Sequence, residues 1–408
     1  MILDAHRLFW RNRGRHHSTD LQGADMTDTI VIGAGLAGAS AAWHLAERGH
    51  HVTVLERTTP ANEHGSSHGS ARIFRYAYPE QVYTDLVVRS KAGWEELQRV
   101  SGSQLIRPTG ALDHGDIRNP AGLARVLEAA GVEHELLSAA AAQERWPQSR
   151  FETDVLCVLG AGVLEDGGHV NAMLAAASAT GRLDLRTSWP VARVERIGNG
   201  HLVHSATGET AEADGIVVAA GGWLPALLGE LSLPSAFLAQ FPELEVRQEQ
   251  AFHFPYLNPG DAGADADPWP TFISKSHKLQ TYGLPGGRDA DWRGQKVAQF
   301  NGGKLIDSAL QQDGVVDAAN RRALIAYAEE FLPGVVPEPY AETTCLFTTT
   351  PTEDFVIDRV DNLVVLSACS GHGGKFAPLL GELAADLITG SGSVPDECRV
   401  GAETGVTA

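Results

Sequence analysis

Three short stretches of this sequence carry residues whose types and spacing suit chemistry. The first is Gly33-Ala-Gly35-Leu-Ala-Gly38, answered by an acid, Glu56. Glycines at this spacing let a strand turn sharply, let backbone N–H groups approach a pyrophosphate, and let the following helix pack closely on the turn. An acid at the end of the next strand hydrogen-bonds an adenosine ribose and disfavours a 2′-phosphate. The pattern predicts a dinucleotide site and leaves FAD and NAD equally open. The second stretch, Gly65-Ser-Ser67-His68-Gly-Ser-Ala-Arg72-Ile-Phe-Arg75-Tyr-Ala-Tyr78, sets small residues beside two arginines. That suits a loop packed on a planar cofactor and an anion. Taken alone it reads equally as a solvated loop with surface ion pairs and a structural histidine. The third is Gly371-His-Gly373-Gly374-Lys375, a second glycine turn ending in a cation.

The elements around these motifs follow from periodicity. A β-rich run at 29–32, the glycine turn, an alanine-rich helix and a second β-rich run at 51–55 make a βαβ unit. Residues 86–100 and 121–130 read as helices, 183–186, 191–197 and 201–205 as hairpin strands, and 215–222 as a buried parallel strand followed by a helix over 223–231. Residues 244–254 alternate as a sheet strand, 259–270 form a loop, and 318–332 a helix that Pro333-Gly334 stops. The end repeats the opening's grammar, with a strand at 362–367, the glycine turn and a helix at 376–387. The expected class is α/β (α+β overall). A discontinuous Rossmann-like nucleotide domain (27–90, 160–240 and 346–395) carries an inserted substrate domain built on an antiparallel sheet (91–159 and 241–345). Residues 396–408 are a tail.

Composition limits the partners. The 408 residues carry a formal charge of −19, which opposes binding to a nucleic-acid backbone or an anionic membrane. No apolar run approaches the ~18–20 residues of a membrane helix. Four cysteines without a CxxC pair, Cys157, Cys345, Cys369 and Cys398, suggest neither a disulfide framework nor a metal site. A cytoplasmic protein is expected. Residues 1–26 are polar, have the look of neither a secretory nor a twin-arginine signal, and are expected to be a disordered leader before the first strand.

With these motifs in order, the chain resembles the monomeric sarcosine oxidase and N-methyltryptophan oxidase family, FAD-dependent amine oxidases of the glycine/D-amino-acid oxidase superfamily. The likeness rests on residues 65–78, on Thr344-Cys345-Leu-Phe-Thr348-Thr-Thr350-Pro351-Thr-Glu353-Asp354-Phe355-Val-Ile-Asp358, and on Ser370-Gly371-His372-Gly373-Gly374-Lys375-Phe376. It implies FAD, covalently attached at Cys345, which otherwise reads as an ordinary buried thiol. Cys369 has no such match and is expected only to pack.

By the same resemblance, Arg75 and Lys375 match the pair that binds a substrate carboxylate. Arg72 and His68 match residues against the flavin ring, and Tyr282 an active-site tyrosine near the amine. Lys296 matches a lysine over the flavin that assists oxygen reduction, although its position alone suggests a solvated strand lysine. With Gly33, Gly35, Gly38, Glu56, Arg57, Ser67, Gly371, Gly373 and Gly374, these residues make the expected cofactor and substrate set.

The implied reaction takes a hydride equivalent from the carbon bonded to nitrogen in a secondary (N-methyl or cyclic) amino acid. It gives an imine or aldehyde and, with oxygen, hydrogen peroxide. Two departures bear on the substrate. Phe300 stands where the family has a histidine, replacing a hydrogen-bonding group with an apolar wall, so sarcosine itself is not the expected best substrate. Gly374 replaces a bulkier residue and suggests a wider pocket. Two other readings stay open: a flavin dehydrogenase using another acceptor, and a non-catalytic FAD-binding protein. An NAD-linked dehydrogenase leaves the Cys345 motif unexplained. The expected partners are the amino acid and oxygen, with no metal, acting as a monomer.

Overall fold

A computed structural model describes residues 28–69, 71–165, 168–263 and 269–402. The expectations for the leader at 1–26, for 403–408 and for part of the 259–270 loop lie outside the described residues.

Two large sheets organise the chain. The first has six strands in the order Val356–Val360, Leu363–Ser367, Gly215–Val218, Asp28–Ile32, His51–Leu55, Leu183–Arg186. Its pairings are parallel except the first. Parallel strands are buried on both faces, and the Val/Ile/Leu runs here match that demand. Alternation sends Val31, Val52 and Val54 into a core shared with the helices Leu36–Glu47, His169–Ala179 and Ala377–Thr389. It sends Ile30, Ile32 and Leu55 the other way, under the strands Val191–Ile197 and Gly200–Ser205.

Two local expectations change. Leu183–Arg186 is not part of a hairpin but the parallel edge partner of His51–Leu55. Its Leu-Asp-Leu-Arg alternation suits any half-exposed strand and holds no record of its partner. The helix expected over 223–231 is confined to Leu224–Leu228, behind a 3₁₀ turn at Gly221–Trp223.

The second sheet has nine strands, centred on Glu245–Pro255, Gly294–Gln299, Gln280–Pro285 and Thr271–Lys275, with Ala341–Thr349 paired along the first of these. It is mixed rather than wholly antiparallel, because Thr271–Lys275 runs parallel to Ala111–His114. One face is apolar: Phe252, Phe254, Val297 and Phe272 pack with Leu324 and Tyr327 from the helix Ala318–Phe331. Phe252 and Phe254 are fully buried, and burial of a side chain of this kind contributes about 1.5–3 kcal/mol. Since side chains alternate across a strand, the residues between them are turned to the opposite face. That face carries Glu249, His253, Lys296, Tyr282 and Cys345, in register across neighbouring strands. Between the two sheets lies a cavity of about 1490 Å³.

Candidate active site

The cavity is larger than the ~300–1,000 Å³ of an ordinary small-ligand pocket. At one end stands the first glycine turn. Gly33 has φ +102°, and a Cβ there would lie 2.5 Å from the Ala219 carbonyl oxygen. A Cβ on Gly38 would lie 2.0 Å from the Gly33 carbonyl oxygen, so helix and turn touch through a position only glycine fits. One on Gly35 would lie 2.8 Å from Ser67 Oγ, which accepts the Leu36 N–H at 3.0 Å.

The helix Leu36–Glu47 has no side-chain cap and no acid in its first turn, leaving its N-terminal dipole to the cavity. Buried Glu56 accepts from the Ala34 N–H at 2.8 Å and the Thr58 N–H at 2.9 Å. These bonds fix its carboxylate at the cavity wall, with lone pairs to spare for a ribose hydroxyl. A cradle whose Cβ space is closed, a free helix terminus and an anchored acid fit the pyrophosphate and ribose of FAD. Arg57 lines the mouth, exposed.

Beside the turn, His68 Nδ1 donates to the Gly65 carbonyl at 2.9 Å. Burial, with Arg72 and Lys296 nearby, holds its pKa down at about 4, so the ring is neutral. Arg72 donates to the carbonyls of His68 and Gly69. Its Cδ stands 3.0 Å from where a Gly374 Cβ would be. The room left by Gly374 is therefore occupied by Arg72 and does not widen the pocket. Gly373 is a close-approach position too, a Cβ there meeting the Ala368 carbonyl at 1.7 Å.

Lys296 and Tyr282 lie half-buried on the cavity face of the nine-stranded sheet. Burial lowers the lysine pKa and raises that of the tyrosine well above its ordinary value. Burial also pushes the Cys345 thiol up to about 12, although Lys296 acts to lower it. All three side chains line the cavity. Cys369 lines it as well, its sulfur 3.5 Å from the Thr348 N–H, so it belongs to the wall and not only to the packing.

At the far end, Lys375 is almost fully buried and donates to Tyr78 Oη at 2.9 Å and to the His372 carbonyl at 2.6 Å. Its own carbonyl is pinned by Ser90 Oγ and Trp94 Nε1, both at 2.8 Å. The Arg75 guanidinium lies 4.2 Å from the Tyr78 ring centre and donates to the Ala77 carbonyl. Among the described residues neither cation has a carboxylate within 4.0 Å. Phe300 packs 6.2 Å from Phe347, and both rings fill the space a side chain at Gly371 would need.

Every expected site residue lines this cavity except Gly38, which acts one layer behind. Sequence reasoning missed Asp289, which faces Arg72, Lys296 and His68. It also missed Glu249, Lys275 and Glu353. Asp289 sits in a Gly-Arg-Asp turn that looks like any surface turn, Glu353 stands inside the 344–358 motif without a role of its own, and Lys275 and Glu249 lack a local signature. Only strand register brings Lys275 to the cavity and sets Glu249 opposite Cys345 behind its wall.

Comparison with known proteins agrees with this architecture. The chain is 31% identical over 379 residues to the monomeric sarcosine oxidase of Streptomyces avermitilis, covering 90% of this chain and 95% of that protein. It is 29% identical over 373 residues to the N-methyl-L-tryptophan oxidase of Citrobacter koseri, covering 89% and 95%. In fold it is similar to the open form of NikD, an unusual amino acid oxidase essential for nikkomycin biosynthesis. That match has a TM-score of 0.78 and 24% identity, and covers 92% of this chain and 98% of NikD. The family model described as DAO, FAD dependent oxidoreductase, matches residues 28–387. With the family model matching most of its length and a glycine turn and a group of cations lining one cavity, the chain belongs to this family of FAD-dependent oxidoreductases.

Proposed function

We propose that the protein oxidises the C–N bond of a secondary amino acid with oxygen as acceptor, giving an imine or aldehyde and hydrogen peroxide. The observation that carries this reading is one cavity that joins the dinucleotide cradle to the Arg75–Lys375 pair, with Lys296, Tyr282 and Cys345 on the wall between. The names of the sarcosine and N-methyl-L-tryptophan oxidases support the same substrate class.

Gly33, Gly35, Gly38, Glu56, Arg57, Ser67 and the turn at Gly371, Gly373 and Gly374 hold the cofactor, with Cys345 as its covalent anchor. Bound FAD supplies the acceptance of two electrons from carbon and their delivery to oxygen. Arg75 and Lys375 take the substrate carboxylate, a fork beside a point charge, and so orient the amine within the cavity. Tyr282 and the neutral His68 wall the reacting region and keep water out. Lys296 places a half-buried positive charge there, which favours the negative charge that develops as oxygen is reduced.

We assign residues 27–90, 160–240 and 346–395 to cofactor binding, and 91–159 and 241–345 to the substrate wall. We further infer a cytoplasmic monomer; among the described residues no helix is long and apolar enough to cross a membrane. Incubation in air with N-methyl and cyclic amino acids should produce peroxide in step with amine loss. Amine loss that needs an added electron carrier, without peroxide, overturns the oxidase reading.

A further inference from the structure

The substrate end of the cavity holds a third cation that the carboxylate clamp leaves unused. Lys275 ends the strand Thr271–Lys275, and its ammonium lies 5.3 Å from the Phe300 ring centre. It lines the same cavity as Arg75 and Lys375. Four charged groups act on it: Arg118, Glu353, Arg75 and Asp113. Of these, Asp113 is consumed by Arg118, bonded at 2.7 Å and buried with it.

Glu353 is then the one carboxylate facing this group, and among the described residues it comes within 4.0 Å of neither Lys275 nor Arg75. Glu80 and Asp354 also line this end of the cavity, yet among the described residues none of the three cations, Arg75, Lys275 and Lys375, has a carboxylate within 4.0 Å. A substrate with one carboxylate, held by Arg75 and Lys375, leaves the half-buried Lys275 without a close counter-ion. Phe300 offers Lys275 only a ring face, a weak substitute for an anion.

We propose that Lys275 forms a subsite for a second carboxylate, so that the preferred substrate is a secondary amino acid carrying a carboxylate on its side chain or on its nitrogen substituent. The Arg75–Lys375 pair takes one carboxylate and Lys275 the other, with Phe300 and Phe347 flooring the carbon chain between them. This rests on the carboxylate-clamp reading above. It also gives a role to the loss of hydrogen bonding at Phe300, whose ring supports the cation. Burial and the nearby Arg118 guanidinium hold the Lys275 pKa below the ordinary lysine range, so an anion arriving there relieves an existing strain.

Glutarate and pentanoate share a five-carbon chain and differ in the second carboxylate; neither has an amine to oxidise. Their dissociation constants are read on the FAD-loaded protein from the perturbation of the flavin spectrum. Glutarate should bind about tenfold or more tightly than pentanoate. Lys275→Met should remove that preference and Lys275→Arg should keep it. If Lys275→Met does not retain FAD, Lys275→Gln is read in the same way. Equal affinity of the wild type for the two acids, or a preference that survives in the neutral variants, overturns the subsite and leaves the clamp standing. Binding of neither acid overturns the clamp and the subsite together.

Discussion

Lys375 Nζ donates to Tyr78 Oη at 2.9 Å, and this bond sets the direction of a buried chain. With its oxygen accepting from the ammonium, the Tyr78 hydroxyl proton is turned to His372 Nδ1, 3.1 Å away. His372 Nε2–H then donates to the Glu353 carbonyl at 3.0 Å. The histidine is neutral, since burial and Lys375 hold its pKa well below the ordinary value. The chain fixes a cation that, among the described residues, has no carboxylate within 4.0 Å, at the wall of the cavity.

Tyr78→Phe takes away one of the two acceptors of Lys375. The loss of a buried hydrogen bond costs about 1–3 kcal/mol when a partner is left unsatisfied. We expect a lower melting temperature and several-fold weaker binding of a carboxylate inhibitor, measured by flavin difference spectra. Unchanged inhibitor affinity would remove Lys375 from the carboxylate site.

Glu249 and Cys345 face one another across adjacent antiparallel strands. One Glu249 oxygen accepts from the Gly303 N–H at 3.1 Å and the other is buried without a partner. Burial raises its pKa from 4.5 to about 7. The folded protein therefore holds this proton more tightly than the unfolded chain. The stability it confers is present below the unfolded pKa and is lost as pH rises through about 7. Glu249→Gln should gain in melting temperature relative to wild type between about pH 5 and about pH 8. A pH-independent difference would mean that the carboxyl keeps one protonation state over that range.

A methyl group at position 38 would meet the Gly33 carbonyl oxygen at 2.0 Å. Backbone on both sides of the contact leaves nothing to rotate away, so the turn must open. Gly38→Ala should fold with little or no bound FAD, read as the flavin-to-protein absorbance ratio. A full complement of FAD would place the cofactor away from this turn.

If Cys345 anchors FAD, acid-precipitated wild-type protein stays yellow and Cys345→Ser precipitates colourless, with its FAD in the supernatant. Release of free FAD from the wild type would end the covalent assignment and leave Cys345 as a wall residue.

The first glycine turn is legible in the sequence because much of its demand is local: Gly38 answers the Gly33 carbonyl five residues back, and Gly33 takes a positive φ, although its closest neighbour, the Ala219 carbonyl, comes from a strand far along the chain. Glu56 is legible for the same reason. The helix Ala318–Phe331 is also readable, since Pro333 and an amphipathic pattern bound it. Leu183–Arg186 is not, because a half-exposed edge strand looks alike whichever neighbour it takes. Lys296 is harder still. Alone it looks like a solvated strand lysine, and it lines the cavity only because alternation turns it away from the helix-covered face that takes Val297. Lys275 and Glu249 are set by the same register, which no short stretch of sequence records. Gly374 shows the opposite failure: its missing side chain suggests space, but a side chain from far along the chain, Arg72, fills it.

The central claim is that a carboxylated secondary amine passes its electrons to the cofactor in this cavity. It is tested most directly by mixing the FAD-loaded protein, without oxygen, with sarcosine, N-methyltryptophan, pipecolate, proline and an N-methyl dicarboxylic amino acid. Bleaching of the flavin colour by one or more of these amines, and its return when air is admitted, is the predicted result. A flavin that none of these amines bleaches, but that reduced nicotinamide does, would contradict the account.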